Sequence, residues 1–322
     1  MGFLLFGKQK PKPEHGDKMK NKKAQFFTLI AIFLIILMFL SFEMYSLLNK
    51  DDSAKTRVLS MDNFLLSVEE NLERQTYISG FRIIFLAEDQ IATSGNYVSN
   101  FNSFFNEAFF NGTINGEPEN SIMPGATYND IVDSINNKAK KINVNITLTN
   151  PNITITQNDP WNVEVNLTLE IIMKDKANLA SWEKTENIST KIPVTFFEDP
   201  IYVVNSSAKI SRKINQTSYE GNYVNGEDFS NLIDHLNRGY YAANPDAPSF
   251  LNRLQGDLSS DENGIESFVY IPDFSAQGIP ILDKTIIDYL YFSSQNPPYH
   301  AVEGMPSWFK IDYAHDEKYG LT

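Results

Sequence analysis

The residues with the clearest potential for chemistry are the histidines and the acids beside them. The chain has four histidines, His15, His235, His300 and His315. His315 lies in an acidic segment, residues 312–317, whose oxygen and nitrogen atoms suit a hard metal ion. The spacing matches neither an HExxH motif nor a facial triad. We therefore expect a solvated acidic segment there and no metal site.

No motif of a common catalytic class is visible. Cys is absent, which excludes a thiol nucleophile, a disulfide framework and a thiolate metal site. The sequence has no G-x-S-x-G elbow, P-loop or dinucleotide fingerprint. The acidic loop 257–263 lacks the spacing of an EF-hand, and no pair of acids stands out for glycoside hydrolysis. We expect no enzymatic activity and no cofactor, and a tethered extracellular hydrolase is the least favoured hypothesis.

Seven N-x-S/T sequons are candidate N-glycosylation sites. In a β-strand, residues two apart share a face, so the Asn and the hydroxyl residue of a strand sequon both point to solvent when the middle residue is buried. Ordinary solvent-facing strand residues would give the same pattern. The seven asparagines are Asn111, Asn145, Asn152, Asn166, Asn187, Asn205 and Asn215.

Charge is distributed unevenly along the chain. The overall net charge is −13, yet residues 1–23 contain seven lysines against two acids. The remainder carries 20 basic and 38 acidic residues, a net charge of −18. So acidic a segment repels the phosphates of nucleic acids, and we expect no nucleic-acid partner.

An uncharged apolar run follows the lysines. Residues 26–42 contain no charge, Gly or Pro, and an extended helix over residues 25–48 is long enough to cross a bilayer. The lysines in front of it predict a cytoplasmic N-terminus by the positive-inside rule. No A-x-A site follows the run, which disfavours a cleaved secretory signal peptide. The sequence therefore predicts a single-pass cell-membrane protein with an extracellular C-terminal domain.

The junction between the lysines and the apolar run carries a family resemblance. Lys22-Lys23-Ala24-Gln25, followed directly by the run, resembles the class III signal peptide of archaeal type IV pilin-like proteins. The resemblance covers about 25 residues and implies cleavage between Ala24 and Gln25 by a prepilin peptidase on the cytoplasmic side. It also implies that the helix serves as an anchor or as the core of a filament of pilin-like subunits.

One departure from the family pattern separates two hypotheses. The family carries a Glu five residues into the mature helix, where this chain has Leu29. The favoured hypothesis is a pilin-like or pseudopilin-like surface protein that acts in assembly, adhesion or display. The alternative, which Leu29 favours, is a membrane-tethered domain that does not polymerise and binds a sugar or an envelope protein.

The fold expected from these patterns is α+β, with a transmembrane helix continuing into a helical stalk, an antiparallel β-sheet domain and a mixed C-terminal segment. Val58, Met61, Leu65, Val68 and Leu72 form an apolar stripe that predicts a helix over residues 54–90, with breaks at Gly80 or at residues 51–53. The predicted segments are a basic leader (1–24), a transmembrane helix (25–48), the stalk (49–90), a sheet domain (91–218) and the C-terminal subdomain (219–322).

Alternation of apolar and polar residues marks the strands. It runs through residues 144–148, 163–171 and 192–196, which predicts antiparallel strands with one face in water. Five phenylalanines between residues 101 and 110 favour a helix pinned to the core over an exposed patch. In the C-terminal segment we expect helices at residues 227–238 and 247–254, and strands at 267–271, 286–292 and 308–311.

Overall fold

The computed structural model describes residues 17–321, and of these the side chains of all except residues 17–24 and 48–53. His15 and most of the predicted basic leader therefore lie outside the described residues. The chain divides into two compact units, Met1–Met61 and Asp62–Thr322. The fold is α+β, as expected, with an apolar N-terminal helix and small antiparallel sheets.

A long helix, α1 (Asp17–Ser94), contains the predicted helix over residues 54–90. The break expected at residues 51–53 is wrong, because the backbone is helical there. Asp and Ser favour caps, but their helix propensity costs only about 0.7 kcal/mol each, which strong helix formers on both sides offset. In the second unit the apolar stripe of α1 is buried at Leu65, Val68 and Leu72.

Gly80 does not end α1, which continues to Ser94. A Cβ atom at this position would collide with the side chains of Ile192 and Val165. At Gly80 the helix therefore lies close against the sheet, and the absence of a side chain permits that contact.

Two shorter helices follow α1. Helix α2 (Phe101–Asn111) begins at Asn100, whose side chain accepts a hydrogen bond from the Ser103 N–H, and ends at Gly112 in a left-handed conformation. Four of its phenylalanines are buried, which confirms the core assignment. A two-residue hairpin, β1 (Thr113–Ile114) with β2 (Glu117–Pro118), leads to α3 (Tyr128–Lys141), which starts with a capping box of Thr127 and Asp130.

The main sheet has three antiparallel strands in the order β3–β4–β5. They are β3 (Val144–Asp159), β4 (Asn162–Asp175) and β5 (Ser181–Pro193). From Asn162 to Ile171 the buried apolar residues of β4 alternate with half-buried polar residues, as the period-two pattern predicts. Pro151 lies within β3, at a register shift between Thr149 and Asn152.

The strand predicted at residues 192–196 ends earlier than expected. Phe196 continues the alternation of Ile192 and Val194, but β5 stops at Pro193 and Phe196 has a φ of 75°. Its ring is 72% exposed, whereas the ring of Phe197 is buried. Helix α4 (Pro200–Asn205) follows at once, with Asp199 as its N-cap and Pro200 in its first turn.

The C-terminal part combines short helices with two-stranded sheets. Strand β6 (Tyr241–Ala243) pairs with β7 (Ile265–Ser267), and β8 (Tyr299–Ala301) pairs with β9 (Lys310–Asp312), both antiparallel. The strand predicted at residues 286–292 is wrong over most of its length. Ile287 makes an isolated β-bridge with Phe268, but residues 288–292 form a helix whose side chains are mostly buried, so tertiary packing overrides the strand propensity of its aromatic residues. The helices are α5 (Ser230–Arg238), α6 (Phe250–Gln255), α7 (Ile271–Ala276), α8 (Asp288–Phe292) and α9 (Tyr313–Tyr319).

Candidate functional site

The apolar part of α1 is the feature of the first unit that bears on function. Among the described residues, Gln25–Leu47 is the helix long and apolar enough to cross a membrane. None of it is buried within the protein, and large apolar side chains such as Phe27, Met38 and Phe42 are 69–71% exposed. A lipid-facing helix has this property, because the bilayer rather than the protein solvates the side chains. The segment is compatible with a transmembrane or signal-anchor helix.

The predicted processing site lies in the same helix. Both Ala24 and Gln25 have helical backbones. Gln25 is exposed, while the Ala24 side chain lies outside the described residues.

The predicted sequons lie on the surface of the second unit. Asn145 and Thr147 are exposed with Ile146 buried between them, which is the orientation expected for a strand sequon. Asn166 and Thr168 are half-buried around a buried Leu167. The other asparagines are exposed at Asn111, Asn152, Asn187 and Asn205 and half-buried at Asn215.

Three of these sequons form one patch, which the sequence alone did not reveal. Strand register places Asn152 opposite Thr168 and Thr168 opposite Asn187, and Thr168 Oγ1 donates to Asn187 Oδ1 at 2.8 Å. The neighbouring row is Thr154, Asn166 and Ser189. The solvent face of the sheet therefore carries a continuous area of uncharged amides and hydroxyls.

A buried ion network centres on Arg253, whose side chain is fully buried. Its Nη1 donates to Asp199 Oδ2 at 2.5 Å and to Asp288 Oδ2 at 2.9 Å. Ser267 Oγ donates to Asp288 and the Tyr241 hydroxyl donates to Asp199, each at 2.8 Å. Burial raises the pKa of Asp288, an effect that the charge of Arg253 opposes. The Ser267 hydroxyl is enclosed by this network, which holds α4, α6 and α8 together.

A second buried cluster surrounds His315, and it corrects the prediction of a solvated acidic segment. Nδ1 lies 2.7 Å from Asp312 Oδ1, and Nε2 lies 3.0 Å from Glu266 Oε2. Lys318 and the Tyr319 hydroxyl both donate to Glu266 Oε1. Although residues 312–317 looked solvated, Asp312 and His315 are at most 5% exposed.

The electrostatics of this cluster favour the imidazolium form of His315 at neutral pH. Burial opposes the charged form of His315, but the two flanking carboxylates outweigh it and raise the His315 pKa to about 9. Burial likewise opposes ionisation of Glu266, yet His315 and Lys318 lower the Glu266 pKa to about 2. Since both ring nitrogens are held by carboxylates, neither is free to accept a proton from a substrate at neutral pH.

His235 is enclosed in an aromatic environment. Its Nδ1 lies 3.0 Å from Thr217 Oγ1, and the rings of Tyr223 and Phe268 pack edge-on against it. Burial lowers the His235 pKa to about 4, so the ring is neutral at pH 7. Within the part of the chain that the structure describes, no group of three or more His, Asp or Glu residues is arranged to hold a metal ion.

The second unit has an apolar groove with carboxyl groups at its edge. Helix α1 forms one wall, and the segment from Glu198 into α4 forms the other. The groove has a volume of about 220 Å³. It is lined by Phe85, Glu88, Asp89, Ile91, Ala92, Glu198, Pro200 and Val203.

Glu88 is the unusual side chain of this groove. Its Oε1 atom is buried without a hydrogen-bond partner, and its carboxyl group accepts a hydrogen bond from the Glu198 backbone N–H. Burial, together with the charges of Glu198 and Asp199, raises the Glu88 pKa to about 9, and Lys213 acts in the opposite direction. Glu88 is therefore a neutral carboxylic acid at pH 7.

Exposed aromatic rings continue from the groove along α1. Tyr77, Phe81 and Phe85 are four residues apart and 38%, 42% and 48% exposed. Such spacing places them on one face of the helix. Tyr77 stacks on Phe81 at 6.5 Å, and Phe81 contacts the buried ring of Phe197 at 5.1 Å. Neither this aromatic stripe nor the groove is evident from the sequence, because the buried apolar stripe of α1 dominates the helical pattern.

Comparison of this chain with protein-family models, curated proteins and solved structures finds no match.

Proposed function

We propose that the chain is a membrane-anchored, pilin-like surface protein whose acidic outer domain acts through contacts in assembly, adhesion or display. One observation carries the proposal: Gln25–Leu47 is a helix with apolar side chains that the protein leaves unburied. Seven lysines precede it and a segment with a net charge of −18 follows residue 23. The lysines favour a cytoplasmic N-terminus and an extracellular C-terminal domain.

The resemblance around Lys22-Lys23-Ala24-Gln25 supports the more specific part of the proposal. The chain would be a substrate of a prepilin peptidase, and its membrane helix would contact the bilayer and other pilin-like subunits. The buried clusters around Arg253 and His315 are compatible with this, since their polar atoms serve the fold of the outer domain.

Membrane insertion is tested by washing membranes at alkaline pH and assaying the pellet for the full-length protein. We expect wild type in the pellet and an Ile35→Lys/Ile36→Lys variant in the supernatant, because each buried Lys opposes insertion by about 2.5–3.5 kcal/mol. An Ile35→Leu/Ile36→Leu variant is the matched control and should remain in the pellet. Wild type in the supernatant would contradict the proposal.

Topology and processing are tested separately. Protease added to intact cells should degrade the outer domain, and degradation from the cytosolic side alone would refute the orientation. Mass spectrometry of the purified protein should find a mature N-terminus at Gln25. A chain that begins at Met1 or Gly2 would remove the pilin-like part and leave the membrane anchor.

A second candidate function is a tethered binding domain that does not polymerise. Leu29 favours it, because the family has an acid at this position of the mature helix. The exposed aromatic stripe next to the groove favours it as well, since aromatic residues are enriched at protein interfaces. Detergent-solubilised protein that stays monomeric in sedimentation up to the highest attainable concentration would support this candidate over filament assembly.

A further inference from the structure

We propose that the groove between Phe85, Glu88 and α4 is a docking site for a lysine or arginine side chain of a partner protein. The proposal specifies the partner chemistry of the contact role proposed above and rests on that role. It is carried by the shape of the groove, the placement of its carboxyl groups and the exposed rings beside it.

The lining of the groove matches an amphipathic cation. Phe85, Ile91, Ala92, Pro200 and Val203 present apolar walls, and carboxyl groups border them. Lysine and arginine combine an aliphatic stem, which packs on apolar surface, with a charged head. At about 220 Å³ the groove is smaller than the roughly 300–1,000 Å³ of small-molecule sites, which fits the insertion of one side chain.

The side chains around Glu88 carry more negative than positive charge, which favours the binding of a further cation. Asp89 on its own helix and Glu198 line the groove, and Asp199 adds a further negative charge nearby. Lys213 is the opposing cation that acts on Glu88, and it leaves Glu88 Oε1 without a hydrogen-bond donor. An incoming ammonium or guanidinium group would donate to Oε1 and favour the ionised carboxylate. Docking should therefore release the Glu88 proton.

The aromatic stripe indicates that the cation belongs to a protein and is not a free amine. Tyr77, Phe81 and Phe85 extend about 12 Å along α1 at 1.5 Å per residue. A free diamine would fill the groove and leave these rings in water. A protein surface that inserts a Lys or Arg beside its own apolar residues would cover both.

The experiment uses the full-length protein in detergent micelles and two synthetic helical peptides. The peptides are acetylated and amidated and have an apolar Leu face, with either one Lys or one norleucine at its centre. Isothermal titration calorimetry at pH 7.5 in phosphate and in Tris separates the binding heat from the heat of buffer protonation. We expect the Lys peptide to bind at least roughly tenfold more tightly and to release about one proton per peptide.

Matched variants assign the effect to the groove. Glu88→Gln should abolish both the proton release and the preference for Lys over norleucine. Phe85→Ala should weaken both peptides and keep the proton release. Glu70→Gln removes an exposed carboxyl group from the same helix outside this groove and should change neither.

Three results would overturn the proposal: equal affinity for the two peptides, proton release that persists in Glu88→Gln, or binding of free 1,5-diaminopentane as tight as that of the Lys peptide. The last result would indicate a small-amine site. Because peptide binding in micelles does not depend on membrane insertion in the cell, failure here is distinguishable from failure of the alkaline-wash test.

Discussion

Replacement of Arg253 by Met tests the buried ion network most directly. Arg253, Asp199 and Asp288 have fully buried side chains. Removing the guanidinium leaves two carboxylates in the core without their countercharge and costs about 3–5 kcal/mol. For a folded unit of this size we expect the Tm to fall by about 6–20 °C. Arg253→Met should therefore be strongly destabilised at pH 7.

The pH dependence of the unfolding free energy identifies the ionised buried carboxylates as the cause of the lost stability. Burial raises the folded-state pKa of Asp288 above its unfolded value, and loss of Arg253 raises it further. A carboxyl group with a raised pKa contributes stability below its unfolded pKa and loses that contribution as pH rises through the folded pKa. The destabilisation of Arg253→Met relative to wild type should therefore be largest at pH 7 and shrink toward pH 5.

Thermal unfolding followed by circular dichroism in micelles is the assay. Arg238→Met is the matched control, because the Arg238 side chain is 63% exposed and pairs with Asp234 at the surface. That pair contributes at most about 0.5 kcal/mol. A triple variant that adds Asp199→Asn and Asp288→Asn should recover much of the loss. The reasoning is refuted if Arg253→Met unfolds like wild type at pH 7, or if its loss is the same at pH 5 and pH 7.

Three further predictions concern substitutions at single positions of the outer domain. Because the His315 pKa is raised to about 9, its contribution, on the order of 3 kcal/mol, is complete below the unfolded pKa of 6.5 and should disappear as pH rises through 9. Urea unfolding should show that decline in wild type and a flatter profile in His315→Gln. Gly80→Ala should lower the unfolding free energy by about 1–3 kcal/mol, despite the better helix propensity of Ala, because the sheet leaves no room for a Cβ. Phe196→Gly should be neutral or stabilising by up to about 1 kcal/mol, since it relieves a positive φ at an exposed residue, whereas Phe197→Ala should cost about 3–5 kcal/mol in the same assay.

The elements predicted correctly from the sequence are those in which apolar residues recur every two residues, or every three to four. The strands around Ile146 and Leu167 follow from alternation alone, and the buried stripe of α1 from spacings of three and four. A pattern of this kind is local, so each element can be inferred without its partners. Gly80 shows where local inference stops, since its effect depends on a sheet more than 80 residues later in the chain.

The ion networks could not be predicted for the same reason. Arg253 lies 54 residues from Asp199 and 35 from Asp288, and His315 lies 49 residues from Glu266. In a chain with 40 acids, no sequence signal selects those three carboxyl groups. Residues 312–317 looked like a solvated loop because their composition is polar. The burial of Asp312 and His315 depends on partners that only the folded chain supplies.

A comparison of two buried carboxyl groups explains why the groove beside α1 differs from the rest of the domain. Burial penalises the ionised forms of both Glu266 and Glu88. At Glu266, Lys318 and His315 provide cations and the pKa falls to about 2, whereas Glu88 faces Glu198 and Asp199 and its pKa rises to about 9. The burial penalty acts on both groups, so the difference comes from the partners that the fold supplies. Glu88 Oε1 has no hydrogen-bond donor although Lys213 acts on the group, so a lysine from another protein that donates to Oε1 would lower the Glu88 pKa, as Lys318 lowers that of Glu266.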